Sequence, residues 1–109
     1  MEKQRGHYLT TVEWFNLNWC IQPICKLFGY QVFLVGSSLY KRDFRDIDIR
    51  IIMDDYTGVL CNQYGRKVMA MFISEWLGNR TGLPIDLQFQ TLDEASEFEG
   101  PRNSLGITI

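Results

Sequence analysis

Along the chain the apolar positions change period three times, and each change marks an element. From Thr10 to Gly29, Trp14, Leu17, Ile21, Ile24 and Phe28 recur every three or four residues, the spacing of one helix face. Thr10 or Thr11 suits its N-cap and Gly29 its stop, while Pro23 inside the pattern predicts a kink or a break. YQVFLVG is then a short β-branched run stopped by Gly36, which predicts a buried strand entering a turn. From Asp46 to Met53 the period is two: Ile47, Ile49 and Ile51 take one face, and Asp46, Asp48 and Arg50 the other. DDYTG reads as a turn. Helical spacing returns from Gly65 to Leu77, where Val68, Met69, Phe72, Ile73, Trp76 and Leu77 form a stripe read as core. GNRTG ends that helix, and LPIDLQFQT predicts a third strand with Ile85, Leu87 and Phe89 opposite Asp86, Gln88 and Gln90. The tail DEASEFEGPRNSLGITI has no period and is expected as loop or a late-docking segment.

This order predicts an α+β domain: a small mixed β-sheet of three or more strands with helices packed on one face. A length of 109 residues, 46% of them hydrophobic and 22% charged, allows one core and not two. The expected unit is therefore one domain over 1–109, with its core at about 10–92 and the tail at 93–109. No apolar run approaches the ~20 residues of a membrane span, and the polar start lacks the apolar region of a secretory signal. A cytoplasmic protein with no membrane partner is expected. The net charge of −2 lacks the basic excess of a surface that coats long nucleic acid. Cys20, Cys25 and Cys61 form no CxxC and His7 stands alone, so buried reduced thiols are expected rather than a zinc site.

Candidate chemistry lies in the polar face of the second and third strands. Two carboxylates ~5 Å apart at an effective dielectric near 20 repel by roughly 3 kcal/mol, a large share of a small domain's stability. If the two strands pair, Asp46, Asp48 and Asp86 converge beside Gly36 and Ser37. A divalent cation would then turn that repulsion into binding energy, and Mg²⁺ suits a few carboxylate oxygens completed by water and phosphate. An isolated Asp-x-Asp reads rather as a solvated strand edge paired to Arg45 and Arg50. A calcium loop counted from Asp46 fails, because its sixth and twelfth positions are Ile51 and Thr57.

The combination is more telling than its parts: an apolar strand, Gly36-Ser37, eight residues, Asp46-Ile47-Asp48, and a later strand aspartate in PIDLQF. In this order the chain resembles the DNA polymerase beta-like nucleotidyltransferase superfamily from about Val32 to Phe89. GSSLYKRDFRDIDIRI with TGLPIDLQFQ also looks like small stand-alone nucleotidyltransferase-domain proteins of bacteria and their viruses. The resemblance implies a nucleotidyltransferase-like fold and a two-metal reaction that moves a nucleoside monophosphate from an NTP, such as ATP, to a hydroxyl of RNA, a protein or a small molecule. It implies Asp46, Asp48 and Asp86 as catalytic and metal-binding residues holding two Mg²⁺ ions, with Asp86 serving the ion that activates the acceptor. It assigns Gly36 and Ser37 to the phosphates. Minimal antitoxin-type members carry Gly-Ser-x-Ala-Arg-Gly where this chain has Gly36-Ser37-Ser38-Leu39-Tyr40-Lys41, so their arginine maps onto Arg42 only across a departure. Lys41, Arg45 and Arg50 are further cations near the acidic pair. The chain has no room for the base-stacking helical domain of larger members, so base choice falls to a dimer partner, another protein or the tail's Pro101-Arg102-Asn103 folded back on the site, a segment that reads otherwise as a linker. The alternative implied is an antitoxin-like nucleotide-binding module with little turnover.

Overall fold

The computed structural model describes residues 9–29, 31–36, 38, 45–53, 57–97, 100 and 102–106. Helix α1 spans Thr11–Phe28. Thr10 caps it with a full capping box: its hydroxyl accepts from Glu13 N at 3.1 Å, and the Glu13 carboxylate accepts from Thr10 N at 2.9 Å. Pro23 does not break the helix. Its missing N–H deprives the carbonyl of Trp19, one turn back, of a donor; both residues are exposed, so water can replace the lost bond.

Strand β1 (Val32–Val35) is followed by β2 (Ile47–Met53), a short 3₁₀ turn (Gly58–Cys61), helix α2 (Gln63–Thr81) and strand β3 (Ile85–Thr91). Asn62 caps α2 by accepting from Gly65 N at 2.7 Å, and Gly82 ends it in the left-handed conformation. The fold is α+β, with a four-stranded mixed sheet in the order β3-β2-β1-β4, where β4 is Asn103–Ser104 of the tail. β1 and β2 are antiparallel. β2 and β3 are parallel, which demands a long crossover, and α2 supplies it.

The isoleucines of β2 land where their period predicts: Ile47, Ile49 and Ile51 are fully buried with Val32, Leu34 and Leu87, beneath Leu17, Ile21 and Ile24 of α1 and Ala70, Ile73 and Leu77 of α2. One apolar sheet face and two helix stripes thus make the core, and Asp48, Arg50, Asp86 and Gln88 are turned to the other face.

One expectation is corrected and another is decided. The α2 stripe is only partly core: Ile73 and Leu77 are buried, but Phe72 is 56% exposed and Trp76 36%. A helix covering one sheet face seals about a third of its circumference, and six apolar positions span more than that. Of the two readings of the tail, loop and docking segment, the structure has the second. Leu92–Ser96 forms a short helix, α3, capped by Thr91, and Asn103–Ser104 forms β4, antiparallel to β1. Long-range bonds hold it: Leu105 N donates to Val32 O at 2.9 Å, Gly106 N to Asn18 Oδ1 at 2.7 Å, and Gln22 Nε2 to Gly106 O at 2.6 Å. Leu105 is fully buried, and its carbonyl accepts from Cys25 Sγ. Cys25 meets the expectation of a buried thiol, and burial pushes its pKa up to about 11. Cys61 is exposed, since the 3₁₀ turn buries only Leu60. No helix among the described residues is long and apolar enough to cross a membrane.

Candidate functional site

The parallel register sets Asp48 directly beside Asp86, and the antiparallel one sets Asp48 beside Val35, the last residue of β1. Adjacent strands lie about 4.8 Å apart, so both carboxylates leave the same face in contact range. They are close enough that Asp48, when protonated, can donate a hydrogen bond to the Asp86 carboxylate. Gly36 turns the chain just past β1 with φ of +83°, and a Cβ there would stand 2.1 Å from Asp48 Oδ2. The bend therefore needs glycine twice: for its left-handed backbone and for room beside the carboxylate.

Burial is the main cause that raises the Asp48 pKa above the ordinary 3.8. The charges of Asp86 and Asp46 and the bond shared with Asp86 push the same way, and the Arg50 guanidinium opposes them. Arg50 is fixed across the two strands, with Nη1 donating to Ile49 O at 2.9 Å and to Asp86 O at 3.2 Å. Among the cations near the acidic pair, Arg50 is thus a built part of this face, whereas Arg45 is exposed.

The structure brings together Asp48, Asp86 and Gly36. Asp46 lies just before β2, exposed, close enough for its charge to act on Asp48. Among the described residues no three acidic, thiol or imidazole side chains gather as a metal-holding group. The predicted site residues Ser37 and Arg42, with Lys41 and Pro101, lie outside the described residues. Oxygen ligands alone, two of them paired at a glycine bend, fit Mg²⁺, which takes one or two carboxylates and fills its remaining positions with water and phosphate.

Three features escape a linear reading. Ser38 is fully buried two residues past Gly36, and its hydroxyl has no hydrogen-bond partner among the described residues. A buried unpaired hydroxyl costs about 1–3 kcal/mol, which marks it as a group awaiting a partner. Gly-Ser-Ser hinted at it, but burial was invisible. Arg102 of the tail sits over the Phe33 ring at 6.0 Å and donates to Ala95 O, which brings the tail onto the sheet face of Asp48. Of the tail residues weighed for base choice, Arg102 lies over Phe33, while Asn103 joins the sheet in β4. Finally, a cavity of about 520 Å³ lies between α2 and the free edge of β3, and Asp86 lines it with Gln88, Arg66, Lys67 and Ser74.

No protein-family model, no curated protein and no solved structure matches the chain.

Proposed function

We propose that the protein is a Mg²⁺-dependent nucleotidyltransferase, transferring a nucleoside monophosphate from an NTP to a hydroxyl acceptor. The observation that carries this reading is the in-register pair Asp48 and Asp86, set against the Gly36 bend on the polar face of an otherwise apolar sheet. Such a pair is costly without a cation and useful with one. Bound Mg²⁺ would supply charge neutralisation at the phosphates and a lowered pKa for the acceptor hydroxyl.

The chain's own groups take up the other tasks. Asp48, with Asp46 beside it, and Asp86 would hold the ions. Gly36 lets phosphate oxygens approach the backbone, and the Ser38 hydroxyl is a donor near the same bend. Arg50 keeps β2 and β3 in register and offsets part of the acidic charge. The acceptor enters from the cavity that opens on Asp86. Its oxygen forms a bond to the α-phosphorus, the bond from that phosphorus to pyrophosphate breaks, and the hydroxyl proton passes towards Asp86.

A second reading, a nucleotide-binding module with little turnover, is favoured by the exposed position of Asp46 just before β2. One experiment separates the two. Calorimetric titration of Mg²⁺ with each NTP is followed by an assay of pyrophosphate release over a panel of acceptors. Binding with release that is lost in Asp86→Asn supports the enzyme; binding without release supports the module; no binding of Mg²⁺-NTP overturns both.

A further inference from the structure

Helix α1 is apolar on two opposite sides. Its inner side carries Leu17, Ile21, Ile24 and Cys25 into the core. On its outer side stand Val12, Phe15, Trp19 and Leu27, which are 72%, 69%, 71% and 75% exposed, with Pro23 between them. Steps of three and four residues align these five as one stripe along the helix. The whole helix holds a single acidic residue, Glu13, and a single basic one, Lys26. A second apolar face on a helix needs a second surface to cover it.

We propose that this stripe is the interface of a symmetric dimer in which the α1 helices of two copies pack antiparallel. The area fits. With ~150–250 Å² for each aromatic side chain and somewhat less for valine and leucine, the four α1 residues expose roughly 550 Å². Phe72 lies on the flank of α2 that turns away from the β3 cavity, and α2 packs beside α1, while the Trp76 ring is covered by the Arg80 guanidinium at 4.3 Å. Phe72 brings the patch to about 650 Å², most of the ~800 Å² each partner contributes to a stable interface. A scattered surface residue needs no partner, but a patch this large on one side of a small domain does.

Self-complementarity selects a second copy as the occupant. Relative to Trp19 the stripe runs −7, −4, 0, +4 and +8, which is nearly palindromic. A two-fold axis through Trp19 stacks the two Trp19 rings at the centre and sets each Phe15 against the smaller Pro23 of the other copy. It also sets each Val12 by the Leu27 of the other copy. Away from the central tryptophan pair each ring meets a smaller side chain, and the helix dipoles run antiparallel.

The test is the oligomeric state of the whole chain by light scattering and sedimentation at micromolar concentration. The wild type is expected as a dimer. Trp19→Glu and, separately, Phe15→Glu are expected to weaken it at least ~30-fold, as removal of a central aromatic anchor does. Both positions lie away from the core, and an unchanged far-UV spectrum confirms the fold of each variant. A monomeric wild type, which would leave the stripe to a different protein, overturns the assignment, and so does a dimer that survives both substitutions.

Discussion

Replacing Asp48 by asparagine should make the protein more stable. The substitution removes one of two carboxylates on adjacent strands while keeping size and hydrogen-bonding capacity. At ~5 Å and an effective dielectric near 20 the repulsion is about 3 kcal/mol; because Asp48 is only partly buried, water screens it to ~1–2 kcal/mol. For a chain of this length 1 kcal/mol moves the melting temperature by ~5 °C, so Asp48→Asn should melt about 5–10 °C above wild type at pH 7.5 in a chelator. The sign follows from linkage. Burial first, then the neighbouring acids, lifts the folded-state pKa of Asp48 above 3.8. Its contribution to stability is therefore complete below 3.8 and lost as pH rises through the raised folded value. The advantage of the asparagine variant must shrink to nothing as the pH is lowered below 3.8. Millimolar Mg²⁺ should close the gap from the other side, raising the wild type by mass action and leaving the variant unmoved. Calorimetric melting of both proteins across pH, with chelator and with Mg²⁺, gives all of these numbers. Equal melting temperatures at pH 7.5 in chelator, or a gap that persists at pH 3, would refute the reasoning.

Further outcomes follow from the same geometry. Gly36→Ala forces a Cβ to within 2.1 Å of Asp48 Oδ2 at a φ of +83°, so it should cost about 1–3 kcal/mol in urea unfolding and weaken Mg²⁺ binding in calorimetry; full metal affinity would count against the bend. Leu105→Ala empties a fully buried position supplied by the tail, and a loss of about 2–5 kcal/mol is expected by chemical denaturation, against near zero if the tail merely lay on the surface. At pH 8 a thiol reagent should label Cys61 at once and reach Cys25, whose pKa is about 11, only on unfolding; rapid labelling of Cys25 in native buffer would contradict its burial.

Much of this molecule was present in its local pattern. The period of two in Ile47, Ile49 and Ile51 dictates which side of β2 is buried, and hence that Asp48 faces the opposite side. The same logic turns Leu87 inward and Asp86 outward on β3. Thr10, Gly29 and Gly82 bound the helices because capping is a property of a few neighbouring atoms. What lies across the sheet is another matter. Nothing local states that β2 and β3 are parallel, or that their register is Asp48 to Asp86 rather than one step away, where the carboxylates would miss each other. Packing of α2 over both strands decides that. The tail shows the limit most sharply: residues 103–106 become strand and core through partners more than 60 positions upstream, bonds that no periodicity encodes. Exposure is the other tertiary decision. Trp19, Phe72 and Trp76 carry the same apolar signal as Leu17 and Leu77, and only the assembled sheet, which has room for one side of each helix, determines which are covered within a single chain.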